Sequence, residues 1–133
     1  MKIIRLLLCF LFCQATNAQD LIGNNCGEVK EYMRENHKQM SLSNTNNNNY
    51  RYLKYSDSSG STTMLFFLDS DSLCNNIRII CDKNAKKDFV NEYNSKYKRV
   101  GENIWLDTKP DRKIRFELSD EEYSSTISIK AEK

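Results

Sequence analysis

Few side chains of this 133-residue chain have the types and spacing needed for chemistry. Beyond residue 18, the cysteines are Cys26, Cys74 and Cys81, and His37 is the only histidine. Cys26 lies near an expected helix start, and a helix N-terminus lowers a thiol pKa, so a small thiol-dependent or hydrolytic enzyme is one hypothesis. A thiol nucleophile needs a base. We expect His37 on a polar surface beside Lys38, and we predict no catalytic residues.

The same cysteines bear on disulfides and metal ions. Three cysteines in an exported chain allow one disulfide and a free thiol, or no disulfide. Cys74 and Cys81 are seven residues apart and would face opposite sides of one regular strand, so they should not bond each other unless the strand begins after Cys74. Cys26 can pair with either. Without a C-x-x-C pair or a second histidine, we predict no metal site and no cofactor.

Known catalytic motifs are missing from the sequence. It contains no G-x-S-x-G, no H-E-x-x-H, no phosphate-binding glycine loop and no dinucleotide fingerprint. Residues 69–71 (Asp-Ser-Asp) lack the twelve-residue calcium loop and are expected to form a hairpin turn. The carboxylates at 120–122 are expected to be solvated on a turn. These observations favour a protein that is not an enzyme.

Tyrosines and arginines are the more informative residues, because both types are enriched in protein interfaces. Strand alternation places Tyr50 and Tyr52 on one face and Tyr55 on the other, so one of the two groups is expected to pack under a helix. Trp105 is expected either on the exposed face of a short strand or at the junction of two halves of the chain. The candidate contacts for a partner are Tyr50, Arg51, Tyr52, Trp105 and Arg115.

The elements that must position these residues repeat once along the chain. Asn25 and Glu28 form a capping box before a helix over 26–38, and Ser41 begins a polar loop that runs to residue 49. Strands over 50–55, 62–68 and 77–81 follow. A second helix, capped by Asn84, precedes strands over 104–106, 114–118 and 123–130. The predicted fold is α+β: two αβββ halves, 26–82 and 84–130, that form one antiparallel sheet with both helices on one face. The predicted core comprises Val29, Met33, Leu65, Phe67, Ile77, Ile79, Phe89, Tyr93, Ile114, Phe116, Ile127 and Ile129.

The first eighteen residues have the pattern of a secretory signal. Lys2 and Arg5 precede a short apolar run, and a polar stretch then leads to Ala18, after which we predict cleavage. The alternative is a buried N-terminal helix. Lipidation of Cys9 or Cys13 is disfavoured because large apolar residues precede both. The single domain, 19–133, is therefore expected in the periplasm or outside the cell.

Export removes the net charge of the chain. The full sequence has 20 Lys+Arg and 18 Asp+Glu. Loss of residues 1–18 removes Lys2 and Arg5 and no acidic residue, which leaves 115 residues with 18 charges of each sign. A neutral chain gives no general electrostatic reason to bind nucleic acid. The apolar run is too short for a membrane span, and the oligomeric state is open.

A helix followed by a meander, repeated once in a small exported chain, resembles the β-lactamase-inhibitor-protein class and the related small lipoproteins of the barrel-assembly machinery. The resemblance rests on element order: residues 28–33 before 50–57 and 62–68, then 89–97 before Trp105 and the last two strands. The end of the signal at residues 17–20 and the richness in asparagine and lysine are also similar to those of uncharacterised small exported proteins of Bacteroidetes. These resemblances imply binding rather than catalysis. We therefore expect an envelope protein that holds a protein or peptide on an exposed sheet face, with a secreted inhibitor or immunity-type protein as the alternative.

Overall fold

A computed structural model describes residues 18–43, 51–109 and 111–132. Two helices and eight strands lie in this part of the chain, so the predicted α+β class is confirmed. The helices are α1 (Cys26–Asn36) and α2 (Lys86–Lys96), and short 3-10 turns occupy Ala18–Leu21 and Lys83–Ala85. The strands are β1 (Met40–Ser43), β2 (Tyr52–Asp57), β3 (Thr63–Leu68), β4 (Cys74–Asp82), β5 (Lys98–Gly101), β6 (Ile104–Thr108), β7 (Lys113–Asp120) and β8 (Ser124–Ala131).

All eight strands form one antiparallel sheet in the order β1-β2-β3-β4-β8-β7-β6-β5. The last strands of the two halves, β4 and β8, pair at its centre, and Ile77 lies opposite Ile129. Each half contains four strands rather than the predicted three. The sequence prediction missed β1 and β5, which are four residues long and lie at the two edges of the sheet.

The capping box that starts α1 is present. Asn25 Oδ1 accepts a hydrogen bond from the Glu28 backbone N–H at 2.9 Å, and Glu28 Oε1 accepts one from the Asn25 N–H at 3.3 Å. The helix ends at Asn36, two residues earlier than predicted. The second helix begins at Lys86 without a side-chain cap, so Asn84 lies in the preceding 3-10 turn rather than at the helix start.

Every buried side chain of the sheet lies on one face, which we call the core face. The cross-strand partners Phe66–Ile77, Ile77–Ile129 and Ile129–Phe116 place these four residues side by side on it. Tyr93 of α2 lies against Phe116, with 4.9 Å between ring centroids. Val29 and Met33 of α1 are buried in the same hydrophobic cluster as these residues.

The predicted orientation of β3 is wrong. Leu65 and Phe67 were expected in the core, but Met64 and Phe66 occupy it, and Leu65 and Phe67 lie on the opposite, outer face. The run Met64–Leu68 is apolar at every position, so alternation along it cannot distinguish its two faces.

A bulge in β4 brings both of its cysteines into the core. Phe67 pairs with Asn76 and Leu68 with Cys74, so Asn75 is an extra residue between them. Cys74 and Cys81 are therefore both buried on the core face, although on a regular strand their odd spacing would place them on opposite faces. Both are free thiols, as is Cys26. The sequence left open whether one disulfide forms among these three cysteines, and the structure has none among them.

Candidate functional site

Half-exposed apolar side chains on the outer face of β2 and β3 form the candidate site. Tyr52 lies opposite Phe67 in the ladder, with 6.0 Å between their ring centroids. Leu65 is the outward neighbour of Phe67 along β3, and Arg78 of β4 lies opposite Leu65. The Arg78 guanidinium carbon is 5.3 Å from the centroid of the Phe67 ring, a cation–π distance. We call Tyr52, Leu65, Phe67 and Arg78 the outer patch.

Beyond the outer patch, Ile80, Ile104 and Leu106 also face outward, and the rest of the outer face is mainly polar and charged. In the described strands, no residue of this face is buried. Arg115 lies on β7, and its Nε donates to Glu117 Oε1 at 2.6 Å. It also donates to Glu132 Oε1 at 3.4 Å. The hydrogen bond from Arg115 to Glu117 is the main cause that raises the guanidinium pKa.

The five predicted contact residues do not form one surface. Tyr52 and Arg115 are both on the outer face, on strands separated by three others. Arg51 is exposed just before β2, and its Nη1 donates to Ser72 Oγ at 3.1 Å. Tyr50 lies outside the described residues.

Trp105 is fully buried on the core face, so it cannot contact a partner through the outer face. Its ring centroid is 5.5 Å from that of Tyr93, and its Nε1 donates to Asn94 Oδ1 at 2.8 Å. Both partners belong to α2, so Trp105 joins the second helix to β6. A tryptophan within a three-residue apolar strand gives no alternation from which its face can be read.

Sequence reasoning missed Leu65, Phe67 and Arg78. The available signal was the unbroken apolar run of β3. In an antiparallel sheet with one solvent-exposed face, apolar and polar residues alternate along each strand. A strand that is apolar on both sides therefore predicts apolar residues on the solvent side.

The residues that suggested chemistry are not assembled into a reaction centre. Cys26 and His37 lie at opposite ends of α1, roughly 16 Å apart by the helical rise. His37 is half-buried rather than on the surface, and this burial lowers its pKa. Burial also raises the pKa of the Cys74 thiol to about 11. Across the described ranges, no group of three or more His, Cys, Asp or Glu side chains is placed to hold a metal ion.

The turn carboxylates Asp69 and Asp120 form hydrogen bonds or ion pairs within the protein. Asp69 Oδ1 accepts from the backbone N–H groups of Asp71 and Leu73, as expected for a turn. Asp120 forms an ion pair with Lys86 and accepts from Ser125 Oγ at 3.0 Å. The hydrogen bond from Lys86 is the main cause that lowers the pKa of Asp120.

Comparison with protein-family models, with curated proteins and with solved structures finds no match to this chain. In the part of the chain that the structure describes, no helix has the length and apolar character needed to cross a membrane.

Proposed function

We propose that this protein is an exported, non-enzymatic binding protein of the cell envelope, and that it holds a protein or peptide partner on the outer face of its sheet. The carrying observation is the composition of β3. Its core-facing residues, Met64 and Phe66, are buried, and its outward residues, Leu65 and Phe67, are also large and apolar. Strands that are apolar on both sides are typical of sheets covered on both faces, so a partner that covers the outer face accounts for this sequence.

The second half of the chain provides an internal comparison. β7 occupies the position in the second half that β3 occupies in the first, next to the central strand. Its core side carries Ile114, Phe116 and Leu118, and its outer side carries Arg115 and Glu117. The outer face of β7 is therefore suited to water, whereas that of β3 is not. This difference supports a binding role for the outer patch, and β6 adds a second outward apolar pair, Ile104 and Leu106.

Charge on the outer face favours a partner with carboxylates beside an apolar side chain. The outward cations of the described strands are Lys54, Arg78, Lys98, Lys113, Arg115 and Lys130, and the outward anions are Asp82 and Glu117. Lys54 and Arg78 flank Leu65 on either side. An apolar residue of the partner would pack on Phe67, and neighbouring carboxylates would face these two cations.

The proposal places both helices over the core face, which leaves the outer face free. Tyr93 of α2 packs on Phe116 and Trp105, which belong to the core face. Met33 of α1 lines a hollow together with Tyr55, whose side chain is also on the core face. These contacts support one covered and one open side of the sheet.

Export after cleavage at Ala18 completes the proposal, and the contacts of residues 20–22 are compatible with it. The Asp20 carboxylate pairs with Lys109 at 2.9 Å and Arg112 at 3.3 Å, and Leu21 and Ile22 are buried. All these contacts would survive removal of residues 1–18. Expression of the full chain in its native host, followed by intact-mass measurement of the envelope form, should give a protein that begins at Gln19. A cytoplasmic protein that retains Met1 would contradict this expectation.

The binding role can be tested by affinity capture with the full chain expressed in its own host and tagged after Lys133. Wild type is compared with Phe67→Lys, which changes the outer patch. The control is Ser119→Lys, an exposed outer position on β7. We expect a protein that is retained by wild type and Ser119→Lys and lost with Phe67→Lys, while the unfolding midpoints of the three proteins stay close. Equal retention by all three would show that the outer patch does not hold the partner.

A further inference from the structure

An open concavity lies on the core-face side of the sheet, between the C-terminal half of α1 and the edge strand β1. It has a volume of about 480 Å³, within the range of small-molecule sites. Met33 and Tyr55 are its buried members, and Met40 and Leu42 of β1 complete its apolar lining. The Leu42 side chain is 43% exposed, so this apolar surface is open to solvent.

The charged side chains around this hollow are all cationic. Lys30, Arg34 and Lys38 line it at intervals of four residues, and none of the lining residues is acidic. Residues four apart lie on the same side of a helix, so Lys30 and Arg34 form one basic stripe along α1. These charges exceed the partial negative charge, about half an elementary charge, at the C-terminal end of α1.

One polar atom beside the hollow lacks a partner. His37 also lines the hollow, and its Nε2 is buried without a hydrogen-bond partner among the residues that the structure describes. Buried polar groups in folded proteins usually have partners. Because this atom is shielded from solvent, a ligand oxygen could reach it only after the neighbouring side chains move apart.

We infer that this hollow binds a single-chain fatty acid, with its alkyl chain on the apolar lining and its carboxylate among Lys30, Arg34 and Lys38. Two methionines on the lining suit an unbranched chain, because the thioether side chain adapts to irregular shapes. This site is separate from the outer patch and goes beyond the proposed function.

Calorimetric titration of the purified protein with octanoate, decanoate and dodecanoate, below their micelle concentrations, tests the inference. We expect saturable binding that tightens by about fourfold for each added methylene until the apolar lining is covered. The double variant Lys30→Gln/Arg34→Gln should weaken dodecanoate binding by roughly fivefold. The control Lys83→Gln/Lys87→Gln removes two exposed cations at the same spacing near α2 and should bind as wild type does.

Methionine methyl NMR locates the bound chain independently of its affinity. Met33 and Met40 line the hollow, whereas Met64 is buried beneath it, opposite Tyr55, and is not a lining residue. On addition of dodecanoate we expect the methyl signals of Met33 and Met40 to move more than that of Met64. Absence of saturable binding, equal binding of dodecyltrimethylammonium, or no effect of the Lys30/Arg34 variant would each overturn the inference.

Discussion

Truncation of Asn94 tests whether Trp105 belongs to the core or to a surface. The Asn94 side chain accepts the only hydrogen bond that the fully buried indole N–H donates in the described structure, at 2.8 Å. Asn94→Ala removes the acceptor and leaves the donor. An unsatisfied buried donor costs about 1–3 kcal/mol. Because Asn94 itself is exposed, its truncation lets water approach, and we therefore expect the lower end, about 1 kcal/mol.

Helix propensity acts in the opposite direction and has to be separated from this loss. Alanine is the better helix former by up to about 0.7 kcal/mol, so Asn94→Ala also gains some stability. Asn91→Ala, at an exposed position of the same helix, makes the same propensity change without the hydrogen bond. The free energy of unfolding of Asn94→Ala should therefore lie about 1 kcal/mol below that of Asn91→Ala, which corresponds to about 4 °C in Tm.

A double-mutant cycle with Trp105→Phe completes this test. Phenylalanine has no N–H, so Asn94→Ala in that background should behave like Asn91→Ala, and the coupling energy should be about 1 kcal/mol. Urea unfolding followed by circular dichroism suits the cycle, because Trp105 is the only tryptophan and its fluorescence is lost in Trp105→Phe. If the two asparagine variants were equally stable in the wild-type background, α2 would not be anchored on β6 through this bond.

Four further predictions follow from burial, thiol titration, thiol accessibility and capping. Phe66→Ala should lower the free energy of unfolding by about 3–5 kcal/mol. The half-exposed Phe67→Ala should cost clearly less, and a larger loss for Phe67→Ala than for Phe66→Ala in urea unfolding would show that β3 turns its other face to the core. Burial raises the pKa of Cys74 in the folded state to about 11, above the usual value of 9, so the free energy of unfolding should fall as pH rises from about 9 to 11. Cys74→Ala should make this fall less steep, and an unchanged slope would show that other groups cause the fall. A thiol reagent should label Cys26 in the native protein and Cys74 only after unfolding, and labelling of Cys74 in the native protein would place it outside the core. Asn25→Ala should cost about 1 kcal/mol of unfolding free energy through loss of the N-cap, and a neutral effect would indicate that α1 begins elsewhere.

Local rules were enough to predict the parts of the fold that depend on few residues. The capping box fixed the start of α1, and the alternation of Ile127 and Ile129 with polar residues fixed the faces of β8. The two edge strands were not predictable in this way. β1 offers only Met40 and Leu42 as an alternating pair, and its pairing with β2 is a tertiary contact that no local pattern contains.

The candidate site was predicted only in part because face assignment needs alternation. The odd spacing of Tyr52 and Tyr55 predicts opposite faces for them, and the structure agrees: Tyr52 is half-exposed and Tyr55 is buried. Phe67 and Trp105 each lie in a short apolar run without alternating polar residues. Such a run predicts the wrong face for Phe67 and leaves the face of Trp105 open. The uniform apolar run that obscured the register of β3 is also the feature that points to a partner.

The pairing of β4 with β8 explains why the two halves form one sheet rather than two. In each half the meander ends on a strand with two buried isoleucines, so a half alone would expose the edge of that strand beside Ile77 and Ile79, or beside Ile127 and Ile129. The observed register sets Ile77 against Ile129 and Ile79 against Ile127, which buries all four side chains on the core face. The same arrangement sends the first strand of each half to the outside. Short edge strands such as β1 and β5 offer little template for pairing with other chains, so the outer face, rather than the sheet edges, is where we expect a partner to bind.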